Sequence, residues 1–340
     1  MAGERADRQN KGKTNMADVI MVHESGGPEV LTYEQQEVGD PGPGEARIQQ
    51  SAIGLNFIDI YFRSGLYPAP SGPPFIPGNE GAGTVVALGE GVSGISVGDR
   101  VAYIGPVGAY ASERLVPADK LIRLADDIDF NTAAAMMLKG LTAQYLLRQT
   151  FRVQKGQTIL FHAAAGGVGL IACQWARHLG ATVIGTVGSA EKAELALAHG
   201  CHHAINYTEE DFVARVAEIT DGKKCDVVYD SVGKDTYPGS LDCLKPRGLW
   251  VTFGQSSGPI TDFNLALLAQ KGSLYACRPT VFTYIAERAN LEEMAAELMQ
   301  VVSDGVVKIE VNQTFALKNA AEAHRALEGR KTTGATVLIP

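Results

Sequence analysis

The residues best suited to chemistry lie around a run of small side chains, Ala163-Ala164-Ala165-Gly166-Gly167-Val168-Gly169. An apolar stretch, Thr158 to Phe161, precedes it, and helical spacing (Val168, Ile171, Ala172, Trp175, Leu179) follows. Strand, glycine turn and helix in that order are the context in which a dinucleotide fingerprint has meaning. Gly166 would let the backbone approach a pyrophosphate, and Gly169 would let the helix pack on the strand. The N–H groups at the helix start, at Gly167 and Val168, would face the anion. In G-x-G-x-x-G terms Ala164 stands at the first glycine. Glycine turns also precede helices for packing alone, so the flanking elements have to carry the assignment.

The next strand selects the dinucleotide. It spans Ala181 to Val187 and ends at Gly188-Ser189-Ala190-Glu191-Lys192. A 2′-hydroxyl is ordinarily held by Asp or Glu at this tip. Here the tip is Gly188 and Ser189; the nearest acid, Glu191, lies past it, beside a cation, Lys192, one turn into the helix. Donors and positive charge suit a 2′-phosphate, which favours NADPH. The competing reading of Lys192 is a solvated helix residue.

The elements around these residues repeat the same unit. Asp226–Asp230 and Leu249–Phe253 are short apolar strands that end in the small-residue turns Ser231–Gly233 and Gly254–Gly258. Helical stretches, Phe212 to Ile219 and Tyr237 to Leu244, precede them in turn. Alternation of this kind builds a doubly wound parallel sheet, an α/β Rossmann arrangement. Ligands sit at the carboxyl ends of its strands, which puts Ser231, Phe253 and Gly254 on the cofactor side.

Residues 17 to about 135 differ. Short alternating runs (Arg47–Ile53, Gly83–Leu88, Asp99–Tyr103, Ala109–Leu115) are separated by Gly/Pro turns, which predicts a mostly antiparallel β domain with a barrel-like core. The last segment carries helices around Leu291–Val302 and Ala320–Leu327 and a strand, Thr336–Ile339. Its one strand cannot form a core alone, so it is expected to return to the β domain. The expected organisation is a polar, unstructured tail over 1–16, a β domain over 17–138 and 281–340, and a nucleotide domain over 139–280. The active site is expected in the cleft between the two domains.

At 340 residues the chain has room for about two domains. A net charge of −8 with no basic stripe argues against nucleic acid. No apolar run reaches the roughly 18 residues of a membrane span, and no signal peptide is present. Five scattered cysteines without C-x-x-C form neither a disulfide framework nor a zinc site and point to a reducing, cytoplasmic setting. His199, His202 and His203 have no carboxylate neighbour in sequence to complete a metal site.

The motifs Leu55–Pro68, Pro77-Gly-Asn-Glu-Gly-Ala-Gly83, Ala163–Gly169 and Asp230-Ser-Val-Gly233 resemble the zeta-crystallin-like quinone oxidoreductases of the medium-chain dehydrogenase/reductase superfamily. The resemblance runs from about Ala17 to Pro340. It implies an enzyme that uses NADPH to reduce quinones by one or two electrons, a GroES-like β domain beside the Rossmann domain, and a homodimer. Zinc-dependent relatives have Cys, His and Cys where this chain has Asn56, Asn79 and Leu138. Two amides and a leucine are not a zinc site, which implies no metal. Without that Lewis acid, a quinone, whose conjugated carbonyl already accepts electrons readily, is a more suitable substrate than an alcohol.

Residue by residue, the resemblance places Asn56 and Tyr61 opposite the nicotinamide as the catalytic pair, able to hydrogen-bond the substrate carbonyl or the cofactor ribose, with Asn56 also counted among the cofactor-binding residues. Thr142 is placed at its ribose, and Tyr207 near the adenine or its phosphate. Phe253, Ser256, Cys277, Arg278 and Arg330 fall along the cofactor. Packing roles compete for Tyr61, Tyr207 and Phe253. No obligatory general acid is expected, because a quinol oxygen can take its proton from water. Two alternatives stay open: an NADPH-dependent enone or 2-alkenal reductase on the same fold, and an NADPH-binding structural or RNA-binding protein.

Overall fold

A computed structural model describes residues 15–340. Most of the expected tail therefore lies outside the described residues. Its last residue, Met16, belongs instead to a strand, β1 (Asn15–Val22), which pairs antiparallel with β2 (Leu31–Val38). β1 buries one face in its first half and the other in its second: Ala17 and Val19 pack in a small cluster with Ala111, and Ile20 and Val22 enter the main core of the unit.

The chain forms two compact units. The first comprises the residues up to Leu124 with Thr314–Glu328 and Val337–Pro340; the second comprises Ala125–Gln313 with Gly329–Thr336. Compactness thus divides the chain after Leu124, ahead of helix α2 (Phe130–Tyr145). The expected boundary at 138/139 falls within that helix, which packs on later helices of the second unit.

In the first unit β3 (Glu45–Leu55) is the organising strand. Helix α1 (Phe57–Arg63) follows it, and then β4 (Glu80–Leu88), β5 (Arg100–Ile104), β6 (Glu113–Pro117) and β7 (Leu121–Arg123). β4 and β6 both pair antiparallel with β3, and β5 continues from β4. Ile48, Ile53, Val85, Val101 and Tyr103 fill the core between them. The expected strand 109–115 begins only at Glu113. Gln50, buried beneath it, donates from Nε2 to both Ala109 O (2.7 Å) and Ala111 O (2.5 Å). Ala111 N also bonds Ala109 O (2.7 Å), a tight local turn, and Ile20 N bonds Tyr110 O (2.9 Å), so this stretch meets β1 only in an isolated bridge before the ladder to β3 begins.

The second unit alternates as the sequence predicts. β8 (Thr158–Phe161), α3 (Gly167–His178), β9 (Thr182–Val187), α4 (Ala190–Ala198), β10 (His203–Asn206), α5 (Phe212–Ile219) and β11 (Cys225–Asp230) follow one another. The expected helix 237–244 is reduced to one turn, α6 (Gly239–Asp242). Pro238 has no N–H and precedes the turn, and the chain enters the long strand β12 (Leu244–Thr252) at once. Arg247, with φ +63, marks an irregularity early in that strand. α7 (Ala266–Gln270), the edge strand β13 (Tyr275–Cys277), α8 (Val281–Tyr284) and α9 (Arg288–Ser303) complete the run. The sheet is parallel and six-stranded in the order β10-β9-β8-β11-β12-β13. Its order reverses between β8 and β11, the crevice in which such sheets hold ligands.

The final segment supplies β14 (Val311–Ala316), α10 (Ala320–Glu328) and β15 (Ala335–Ile339). The strands join the antiparallel sheet in the order β14-β15-β3-β4-β5-β7. Among the described residues no helix is long and apolar enough to cross a membrane.

Candidate functional site

The turn after β8 has the close packing that a dinucleotide site requires. Gly166 caps α3 in extended backbone, no side chain caps the helix, and no acid stands in its first turn. The first amides of the helix are therefore left for a ligand. A Cβ on Gly169 would come within 2.5 Å of Ala163 O and 2.6 Å of Ala164 O, so helix and turn touch through bare backbone. The left-handed residue is Ala163 (φ +55), one position before the alanine matched to the first glycine of the fingerprint. Ala164 instead donates its N–H to Thr186 O (3.0 Å), which fixes the turn against β9.

Gly188, Ser189, Lys192, Tyr207 and Arg330 come together at the tip of β9. Ser189 caps α4 by accepting from Lys192 N (3.3 Å). A Cβ on Gly188 would lie 2.6 Å from the Tyr207 hydroxyl, so that ring stands directly beside the tip. The Lys192 ammonium donates to Arg330 O (2.7 Å). Its pKa is lowered by partial burial and by the positive charge of Arg330. The Arg330 guanidinium is 3.5 Å from Asp235, an exposed pairing. Lys192 and Arg330 thus lie together beside this tip, with two acids close by: Glu191 in the first turn of α4, whose carboxyl a hydrogen bond from Ser189 holds below its usual range, and Asp235 at Arg330.

Ser231, Phe253, Gly254, Ser256 and Arg278 gather at the carboxyl ends of β11 and β12, and Cys277 closes β13. A Cβ on Gly254 would meet Ser231 O at 2.6 Å. Ser256 donates its N–H to Ser231 O (3.1 Å), and Arg278 Nη1 donates to Thr252 O (2.8 Å) and Gly254 O (3.1 Å). The Phe253 ring packs on Phe161 at 5.7 Å, so packing accounts for part of its role. Thr142 is buried in α2.

Two features of this unit escaped the sequence reading. Lys139, buried in α2, lays Cδ and Cε where a Cβ on Gly167 would be, at 2.7 and 2.9 Å. A charged residue inside the otherwise small and apolar stretch 133–143 was the available signal. Asp230, fully buried, accepts from Val232 N (2.9 Å), Gly233 N (3.1 Å), Thr236 Oγ1 (2.8 Å) and Ser240 Oγ (2.8 Å), and so pins the turn that carries Ser231. Ser240 gives its proton to Asp230 and can only accept from His162 Nε2 (3.1 Å). This buried Ser–His–Asp set is therefore wired for structure and not for nucleophilic attack, where the serine proton must go to the histidine.

Asn56 and Tyr61 belong to the antiparallel unit. Asn56 caps α1, with its backbone N–H donating to Asp59 Oδ2 (2.9 Å) and its Nδ2 to Glu80 Oε1 (2.7 Å). Tyr61 lies on the same helix within an aromatic group, 5.1 Å from Tyr67 and 6.3 Å from Phe57. Asn79 donates from Nδ2 to Gly105 O (3.1 Å). The amide donors at two of the three zinc-ligand positions are thus committed to protein oxygens, and the third position is Leu138. That donor set does not fit zinc. No cluster of three metal-ligating side chains occurs among the described residues.

Comparisons with known proteins agree with this geometry. Residues 42–126 match the alcohol dehydrogenase GroES-like domain, and residues 167–300 match the domain described as zinc-binding dehydrogenase. A quinone oxidoreductase of Pseudomonas aeruginosa is 57% identical, over 96% of this chain and all of the relative. A 2-haloacrylate reductase of a Burkholderia species is 47% identical, over 96% of this chain and 99% of the relative. The crystal structure of Escherichia coli quinone oxidoreductase complexed with NADPH superposes with a TM-score of 0.93 at 52% identity, covering 95% of this chain and 100% of that one.

Proposed function

The chain belongs to the quinone oxidoreductase family of the medium-chain dehydrogenases/reductases and is an NADPH-dependent oxidoreductase; from that premise we propose that it reduces quinones, by one or two electrons, at a zinc-free site. The observation that carries the NADPH assignment to particular residues is the convergence of Lys192 and Arg330 beside Tyr207, where Gly188 and Ser189, and not an acid, directly follow β9. These residues hold the 2′-phosphate end. Gly166, Gly167 and Val168 receive the pyrophosphate on the amides of α3, with Lys139 behind them. Thr142, Ser231, Phe253, Gly254, Ser256, Cys277 and Arg278 line the path of the rest of the cofactor.

When bound, the nicotinamide supplies the reducing electrons. The protein's own contribution is binding, orientation and exclusion of water. Tyr61 orients the quinone, and Asn56, with its amide held by Glu80, does so through the start of α1 that it caps. Neither is assigned as an obligatory acid, because the reduced oxygen takes its proton from solvent.

Two features support a wider setting. β13 is an edge strand, and Tyr275 on it and Leu265 nearby are 57% and 71% exposed. An exposed apolar edge invites pairing with a second copy, which supports a homodimer. All five cysteines are unpaired, and four of them are buried, which supports a reducing, cytoplasmic location.

A second reading, reduction of an activated C=C bond, is favoured by the 47% identical relative named 2-haloacrylate reductase. Initial rates with NADPH on 1,4-benzoquinone, 9,10-phenanthrenequinone, a 2-alkenal and 2-chloroacrylate separate the two. Quinone rates are expected to exceed the others at least tenfold in kcat/KM, a margin of about 1.4 kcal/mol in transition-state binding. A faster C=C acceptor would transfer the assignment to that reading.

A further inference from the structure

Beneath α1 lies a buried polar chain that the chemistry above does not use. His324, on α10, has no exposed surface, and Arg63, at the end of α1, has almost none. Arg63 Nη1 is 3.1 Å from His324 Nδ1, and His324 Nε2 is 3.0 Å from the Tyr110 hydroxyl. The Tyr110 hydroxyl is 3.0 Å from Asp59 Oδ2, which also accepts the Asn56 N–H at 2.9 Å. Arg63 is anchored in turn by Glu328, at 2.6 and 3.0 Å, and by Gly26 O, at 3.1 Å.

The proton positions follow from the inventory of donors and acceptors. A guanidinium has only donors, so Nδ1 must accept and the ring must be neutral with its proton on Nε2. That proton goes to the Tyr110 oxygen, and the tyrosine's own hydrogen is left for Asp59. Each link is therefore fixed by the one before it, from Arg63 to the carboxylate that caps Asn56. Burial and the Arg63 charge agree with this, holding His324 down at about 3.

We propose that His324 is a positioning residue for quinone reduction, which acts through Tyr110 and Asp59 to hold the cap of α1 and, with it, Asn56. The proposal rests on the reading that Asn56 contributes to turnover. His324→Phe keeps the ring and its edge contact with Tyr110 but removes both nitrogens. His324→Gln restores an acceptor toward Arg63 and a donor toward Tyr110. Tyr110→Phe cuts the next link by a single oxygen.

The test measures quinone kcat, NADPH affinity by fluorescence titration without quinone, and melting temperature. It covers these variants, Asn56→Ala, and the double variant His324→Phe/Asn56→Ala. Expected is a fall in kcat of about tenfold for His324→Phe, with NADPH affinity unchanged and recovery to within about threefold in His324→Gln. The double variant should be little slower than Asn56→Ala alone, because both changes remove the same arrangement. If His324→Phe does not fold, Tyr110→Phe alone and combined with Asn56→Ala carries the same comparison. Normal kcat in His324→Phe and Tyr110→Phe, with Asn56→Ala impaired, would overturn the relay alone. Full additivity would do the same. Normal turnover in Asn56→Ala would instead overturn the premise about Asn56.

Discussion

In the proposed cofactor site, Lys192 is the residue expected to decide between NADPH and NADH. It sits beside Arg330, and its pKa is lowered both by burial and by that neighbour's charge. A 2′-phosphate would gain charge-assisted hydrogen bonds worth about 1.5–3 kcal/mol. NADPH should therefore bind at least roughly tenfold more tightly than NADH. Lys192→Ala should remove most of the difference, and equal affinities in the native protein by fluorescence titration would refute the assignment. Tyr61 sits among aromatic rings on α1, which suits shaping of the substrate position over proton transfer. Tyr61→Phe should slow turnover by about tenfold or less with the pH–rate profile unchanged, whereas loss of a general acid costs 10²–10⁴-fold and one limb of the profile. A hundredfold fall together with a missing limb would make Tyr61 an acid. Lys192 could be read from the sequence because it follows its strand tip directly. Its neighbour Arg330 could be placed only by resemblance, since the two are 138 residues apart.

The glycine turn and α3 act as one piece. An added methyl at Gly169 would strike two carbonyl oxygens of the turn, neither of which can rotate away. Gly169→Ala should cost about 1–3 kcal/mol of stability and weaken NADPH binding, measured by denaturant titration and by binding to the same preparation. Unchanged affinity would show that the helix can shift without disturbing the amides. Elements like this one were legible from sequence because local signals agree: β8, β9 and α5 lie within a residue of where periodicity puts them. The failures share a different cause. The helix expected over 237–244 shrank to four residues where Pro238 and the following strand competed for the segment. The strand expected from Ala109 begins late because its first residues close a local turn and bond β1, about 90 positions earlier, in place of a ladder. His324 sits on an amphipathic helix and shows nothing in its neighbours in sequence of the arginine and tyrosine that it meets in the fold. Pairing across such distances leaves no periodic trace, which is why motif reading could propose cofactor residues and missed the buried polar chain.

At the scale of the molecule, each compact unit buries a neutral histidine. Burial lowers the pKa of His162 in the second unit, and burial with Arg63 lowers that of His324 in the first from 6.5 to about 3. A depressed folded-state value means that the unfolded chain takes up the proton first. The stabilisation is therefore complete above the unfolded value and is lost as pH falls from there toward the folded value. Each histidine should steepen the acid-side loss by up to about 1.4 kcal/mol per pH unit. Denaturant titrations between pH 7 and 4 should show the fall, and His324→Gln should flatten it by about one proton's worth. An unchanged slope in that variant would contradict the neutral assignment. The exposed edge at β13 carries the other whole-molecule prediction. Tyr275→Glu with Leu265→Glu should yield monomers in sedimentation at micromolar concentration, and an intact dimer would place the interface elsewhere. Finally, β15 lies beside β3 in the sheet although nearly the whole chain separates them. During synthesis β6 can cover Glu45–Gln49 of β3, but the later part of β3 must wait, with main-chain groups on the edge away from β4 unpaired, until residues 335–339 are made. The first unit to begin emerging is thus the one that finishes late, and a nascent chain stalled before Ala335 should remain open to protease at β3.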